Sequence, residues 1–262
     1  MLVVIKGAGD IASGIALRLH HAHMQIIMTE TAAPTAIRRT VCFSSAVALG
    51  TAAVEDASAL LAHTAQEANS IAQSGNIAVL VDPAAHCIKA LQPDVVVDAI
   101  LAKTNTGTAI FDAPVVVGVG PGFCAGQDCH AVVETQRGHT LGRVITAGTA
   151  LENTGIPGNI GGYTTERVLR APVAGVFCAQ KEIGAQVQAG ELIATVDGEP
   201  VYATITGTLR GILKSDMRVV EGMKCGDIDP RCELAHWYTV SDKALAVGGG
   251  VLEAILRFGA NR

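Results

Sequence analysis

A glycine turn set between two short apolar runs constrains this chain more than any other feature. Leu2 to Ile5 is long enough for one buried strand, and the next residues are Gly7-Ala8-Gly9-Asp10-Ile11-Ala12-Ser13-Gly14, which fit G-x-G-x-x-[GA]. Ile11, Ile15, Leu17 and Leu19 then give a helical apolar face, and Gln25 to Met28 reads as a second strand ending at Thr29-Glu30. An acid therefore stands 23 residues after the first glycine. In that context Gly7 permits a tight turn, Gly9 lets a pyrophosphate approach the backbone, and Ala12 allows close helix–strand packing. Backbone N–H groups from Gly9 through Asp10 and Ile11 to Ala12 would face the phosphates, and Glu30 would take a ribose hydroxyl. Arg38 and Arg39 could serve a 2′-phosphate instead. The competing reading is a doubly wound domain whose glycine turn binds nothing.

Further along, apolar runs alternate with helical patterns, as expected for a parallel sheet covered on both faces. An alanine-rich helix is expected from Ala57 to about Ser74, with strands at Ile77 to Val81, Val95 to Ala99 and Pro114 to Val119. Cys42 to Ala48 reads as a strand and turn. Ligands in such sheets collect beyond the carboxyl ends of the strands. Asp98, Lys103 and a second glycine loop containing Gly120 and Gly122 fall at that edge, so Asp98, Gly120 and Gly122 join the candidate cofactor contacts. Lys103 and His139 are the candidate proton donors, although a lone lysine is usually solvated and a lone loop histidine usually only hydrogen bonds. His20, His21 and His23, near the end of the first helix, read as partners for its last carbonyls.

From Val168 to Arg231 the helical pattern gives way to short strands that resemble themselves at an offset of 32: Ala171 matches Ala203, Gly175 matches Gly207, Val187 matches Val219, and Gly190 matches Gly222. With Arg170-Ala171-Pro172-Val173-Ala174-Gly175 as its opening, this segment resembles the biotinyl/lipoyl-type barrel-sandwich hybrid. No lysine lies between Lys181 and Lys214, where the hairpin tip Asp197-Gly198-Glu199-Pro200 would carry one, so covalent biotin or lipoyl is not expected. Asp227, Asp229 and Arg231 read as one salt-linked corner. The sharper alternative there is a partly exposed Cys225 thiol activated by Lys224 and Arg231.

Seven cysteines in 262 residues, without C-x-x-C spacing, point to reduced thiols and to no metal site. A net charge of -5 with no basic run argues against nucleic acid. Mean hydropathy is +0.38, yet no stretch reaches the ~18 apolar residues of a membrane span. The chain opens directly into a strand, so a cytoplasmic protein is expected.

The fold class expected is thus α/β, a Rossmann-like parallel sheet with a small all-β barrel-sandwich-hybrid domain. The expected division is 1–165, 166–232, and a C-terminal segment 233–262 whose apolar helix, Val251 to Phe258, packs back on the first domain behind Gly248-Gly249-Gly250.

Three tracts together carry a family resemblance: the first glycine turn, Glu134-Thr135-Gln136-Arg137-Gly138-His139, and Lys224 to Arg231 with Ser241-Asp242-Lys243-Ala244 and the triple glycine beyond. The chain is similar to the YqeB-type accessory proteins of the selenium-dependent molybdenum hydroxylase system. The resemblance implies a factor that matures molybdenum hydroxylases alongside XdhC-like chaperones. Its partner would be the hydroxylase or those chaperones, and its ligand NAD(P) or molybdopterin in its cytosine dinucleotide form. An NAD(P)-dependent oxidoreductase is the second reading, although no Tyr-x-x-x-Lys supports it. A non-catalytic docking scaffold is the third, and a homo-oligomer stays open.

Overall fold

The structure, a computed structural model, describes residues 1–259 and divides into two compact units. The first comprises Met1–Pro34, Cys42–Asn153 and the C-terminal stretch from Val240, and the second comprises Thr35–Val41 and Thr154–Thr239. The expected division at 165/166 and at 232/233 is replaced by one at 153/154 and 239/240, with a short upstream stretch added to the β unit.

The first unit contains strands β1 (Leu2–Lys6), β2 (Gln25–Glu30), β3 (Thr51–Val54), β4 (Ala57–Ala62), β5 (Ile77–Val81), β6 (Val95–Asp98), β7 (Val115–Val119), β8 (Cys124–Ala125), β9 (Ala131–Val133), β10 (Val144–Ile145) and β11 (Gly148–Thr149). Its helices are α1 (Asp10–His21), α2 (Ala46–Leu49), α3 (Ala65–Gln73), α4 (Cys87–Leu91) and α5 (Asp242–Gly259). Nine strands form one sheet in the order β10-β9-β7-β6-β1-β2-β5-β4-β3. The seven central strands are parallel, while β3 pairs antiparallel with β4 and β10 with β9. The expected Rossmann-like parallel sheet is corrected to a large mixed sheet with antiparallel edges.

The alanine-rich stretch behind part of that correction shows why. Ala57 to Ala62 is a strand, not the start of a helix, and the helix begins only at Ala65. Alanine favours helix, but Glu55 adopts φ +54 and turns Val54 onto Ala57, so β3 and β4 close as a hairpin. Thr64 caps α3 by accepting the Glu67 N–H. Cys42 to Ala48, expected as strand and turn, is instead a short 3-10 turn leading into α2.

Helix α1 is buried on nearly every side, since Ile11 through Leu17 and Leu19 are all inside. One side faces the sheet and another faces α5. Gly14 lies against Val240 and Ala244, while Gly248 lies against Ile15 and Arg18. Contacts advance together along both helices, so α1 and α5 run parallel and begin side by side. The triple glycine falls inside α5 rather than ahead of it, because close approach to α1 and to Gly142 needs backbone without a Cβ.

The second unit holds β12 (Val168–Arg170), β13 (Gly175–Ala179), β14 (Gln186–Val187), β15 (Leu192–Val196), β16 (Glu199–Tyr202), β17 (Gly207–Ile212), β18 (Met217–Val219) and β19 (Lys224–Asp229). They form two four-stranded antiparallel sheets, β12-β19-β17-β14 and β16-β15-β13-β18. These two sheets stand in place of the expected barrel-sandwich hybrid. Strands related by the 32-residue offset fall in different sheets, β13 with β17 and β14 with β18, and Phe177, Ile193, Leu209 and Ile228 fill the space between. Among the described residues no helix is long and apolar enough to cross a membrane.

Candidate functional site

Strand order reverses between β1 and β6, the neighbours on either side of the crevice where ligands of open α/β sheets usually sit. Register pairs Lys6 with Asp98 at the carboxyl ends of these strands. Both are buried: Lys6 Nζ lies 3.2 Å from Asp98 Oδ2 and donates to Thr108 Oγ1 at 2.5 Å, while the Thr108 hydroxyl donates to Asp98 at 2.5 Å. Asp98, expected as a ligand contact, is therefore the anion of a closed three-residue network. The only sequence signal for Lys6 is a charge closing an apolar strand.

Directly after Lys6 the chain makes its glycine turn. Gly7 has φ +95, and a Cβ there would stand 3.0 Å from the Ala99 carbonyl oxygen. Gly9 is different: its φ is -74, and a Cβ would meet nothing within 4 Å. No side chain caps α1 at Gly9. Glu30 reaches back to the turn, its carboxylate accepting the Ala8 N–H at 3.0 Å and the Thr31 N–H at 2.7 Å. A carboxylate offers roughly four lone-pair sites, so both oxygens can still accept a hydroxyl. Ile11 and Ala12 are buried in the first turn, and Asp10 stands at its start.

The second glycine loop lies at the same edge. The Gly120 N–H donates to the Val133 carbonyl, and a Cβ on Gly120 would stand 2.9 Å from Thr135 Oγ1. Gly122 packs against the backbone of Lys103 and Thr104. Lys103 is exposed with φ +67, and Leu101 has φ +61, so the loop after β6 holds two strained residues. Glu134 is buried and staples its surroundings, accepting the Gln136 and Leu151 N–H groups at 2.7 and 2.8 Å. His139 is exposed on a turn.

Lys243, in the first turn of α5, belongs to the Ser241-Asp242-Lys243-Ala244 tract, to which motif reading gives no site role. Burial, reinforced by the Arg137 guanidinium, pushes its ammonium below the usual lysine value, while Asp10, Glu134 and Asp242 pull the other way. Arg137 itself is engaged, donating to both oxygens of Asp242 at 2.7 and 2.8 Å. Among the described residues Lys243 has no hydrogen-bonded or ion-paired partner. The starts of α1 and α5, each with a partial positive charge, thus lie beside a half-buried amine that no carboxylate neutralises at contact distance.

In the second unit the expected corner is partnered differently. Asp229 binds Arg231 at 2.6 Å, and that pairing holds its carboxyl at about 2 against the upward push of burial. Asp227 instead binds the buried Arg167 at 2.7 Å. Arg210 lies 4.0 Å from Asp227 and 3.9 Å from Asp229. The Cys225 thiol is 1 % exposed and burial pushes its pKa up to about 11, so it is not the partly exposed, activated thiol considered above. Among the described residues no group of three or more His, Cys, Asp or Glu side chains is placed to hold a metal ion.

No family model matches the chain. Over 255 residues, 97% of its length, it is 54% identical to the uncharacterized protein YqeB of Escherichia coli (strain K12). It spans only 47% of that protein, about half the length of the curated relative it matches. Two solved structures share weaker likeness. One is an aspartoacylase family protein from Mesorhizobium loti, 15% identical, covering 87% of this chain and 84% of that one at a TM-score of 0.27. The other is a succinylglutamate desuccinylase/aspartoacylase from Rhodobacter sphaeroides, 14% identical, covering 86% of each chain at a TM-score of 0.24. The motif resemblance to YqeB-type proteins is thus met by a close sequence likeness. The expected role in maturing selenium-dependent molybdenum hydroxylases is withdrawn: the relative's name gives no such role, and the two solved structures are named for an aspartoacylase and a desuccinylase instead. At such TM-scores neither likeness carries a fold or an activity over to this chain.

Proposed function

We propose that the α/β unit binds a small molecule through a diphosphate at the carboxyl edge of its sheet, with NAD(P) as the first ligand to try. One observation carries this reading: α1 and α5 start side by side there, with Lys243 beside them and no ion-pair partner for it among the described residues. Two helix starts contribute roughly +0.5 charge each, and the amine adds a full one. Open space in front of Gly9 leaves room for a phosphate to approach the backbone. Glu30, already fixed by two N–H groups, is oriented to accept from a ribose hydroxyl.

Gly9→Ala separates binding from folding. Its φ suits alanine, so the expected cost in stability is at most about 1 kcal/mol, the difference between glycine and alanine at a helix cap. The added methyl occupies the approach to the first-turn N–H groups, and affinity for NAD+ or NADP+ should fall at least about tenfold. Lys243→Met should weaken binding by a similar factor, since a charged hydrogen bond is worth about 1.5–3 kcal/mol. Calorimetric titration of the wild type and both variants with NAD+, NADP+ and inorganic diphosphate is the measurement. If the wild type binds none of the three, the reading is wrong.

A further inference from the structure

At the opposite, amino-terminal edge of the same sheet lies a cleft of about 700 Å3 that the reading above does not use. Three of its wall residues are histidines: His20 and His21 from the last turn of α1, and His23 just beyond it. Among the described residues Asp56, from the β3–β4 turn, is the one carboxylate lining the cleft, while β2 contributes Gln25 and α3 contributes Gln73, both neutral.

The arrangement is short of negative charge. His21 Nε2 lies 2.9 Å from Asp56 Oδ1, so the single carboxylate is already engaged. The His20 ring stands 6.2 Å from the His21 ring. Among the described residues neither His20 nor His23 has a hydrogen-bonding or ionic side-chain partner. The helix's own end does not supply one either, because the Leu19 and His20 carbonyls accept the Ala22, His23 and Met24 N–H groups. Burial and the charges of His21 and His23 lower the pKa of His20, with Asp56 opposing. The protonated cluster therefore repels itself, and an anion in the cleft would relieve the repulsion.

We propose that this cleft is a binding site for a small tetrahedral oxyanion, of the sulfate or phosphate class, held by His20, His21 and His23 in their protonated forms. The amides of Gln25 and Gln73 supply neutral donors on the facing wall. Occupancy follows acidity: the site is weak where imidazoles are neutral and fills as acid protonates His20, which burial and its charged neighbours hold below the ordinary histidine value. Linkage makes the effect reciprocal, so a bound anion raises the pKa of the histidines that hold it.

Sulfate is the suitable probe because its own charge does not change between pH 5.5 and 7.5. Histidine ring resonances of the full chain are followed by NMR across that range, in sulfate and in chloride at equal ionic strength. Sulfate should bind about tenfold more tightly at pH 5.5 than at 7.5 and raise the His20 pKa by up to about one unit. In the double variant His20→Gln/His23→Gln, at one half-buried and one exposed position, the pH dependence of sulfate affinity should be largely lost while the thermal midpoint stays put. Equal histidine titrations in the two salts, or sulfate affinity independent of pH, would overturn the proposal. NAD(P) affinity is unaffected by the double variant if the two edges are separate sites, and its loss there would also count against this assignment.

Discussion

Asp98→Ala is expected to lower the stability of the α/β unit by about 3–5 kcal/mol, the cost of leaving a buried charge without its partner. Lys6 closes an otherwise apolar strand and is 5 % exposed, so among the described residues Asp98 and Thr108 alone satisfy its ammonium. Lys6→Met alone should cost less, since Asp98 keeps the Thr108 hydroxyl and the Ile100 N–H. The double variant Lys6→Met/Asp98→Leu should recover much of the loss, because apolar residues of similar size often replace a buried pair at little cost. Urea unfolding of the wild type, Lys6→Met, Asp98→Leu and the double variant, read as a double-mutant cycle, gives the coupling directly. A single-variant loss under about 1 kcal/mol would mean that water reaches the pair.

The triple glycine of α5 yields a contrast within three consecutive residues. Gly249→Ala should stabilise the protein by up to about 1 kcal/mol, since alanine is the better helix former and a Cβ there meets nothing within 4 Å. Gly250→Ala should destabilise it by about 1–3 kcal/mol, because its Cβ would overlap the Gly142 carbonyl oxygen and force the backbone apart. Gly248→Ala falls on the same side, with the Gly14 carbonyl oxygen at 2.9 Å. Thermal midpoints of the three variants suffice. If all three rise together, α5 does not pack on α1 and on Gly142 as described.

That contrast also marks how far residue patterns carried. The turn at Gly7, the strands on either side of it and the acid at Glu30 were legible because local rules coincide there: an apolar run, obligatory glycine, then helix. The 32-residue repeat was legible for the same reason, as each copy writes the same turns. Ala57 to Ala62 was misread because alanine votes for helix while tertiary pairing with β3 decides for strand. The start of α5 was missed because glycine inside a helix looks like a break when only the sequence is considered. Partners of buried charges lay further out of reach: Asp227 meets Arg167 sixty residues away, and Lys6 meets Asp98 across two strand ends. Lys243 stands out only once two helix starts distant in sequence lie together.

The β unit is not one uninterrupted stretch of chain. Thr35–Val41 belongs to it, the Ile37 carbonyl accepts the Ile212 N–H at 2.8 Å, and Arg38 donates to the carbonyls of His236 and Thr239 at 3.0 and 3.1 Å. A fragment cut at 154 and 239 would lose that strap, leaving the Ile212 N–H without its acceptor and the Thr239 carbonyl without its Arg38 donor, while Arg210 still donates to the His236 carbonyl. Conversely, a clean removal of the module takes two excisions, and a truncation designed on one would confuse a damaged remnant with a missing function.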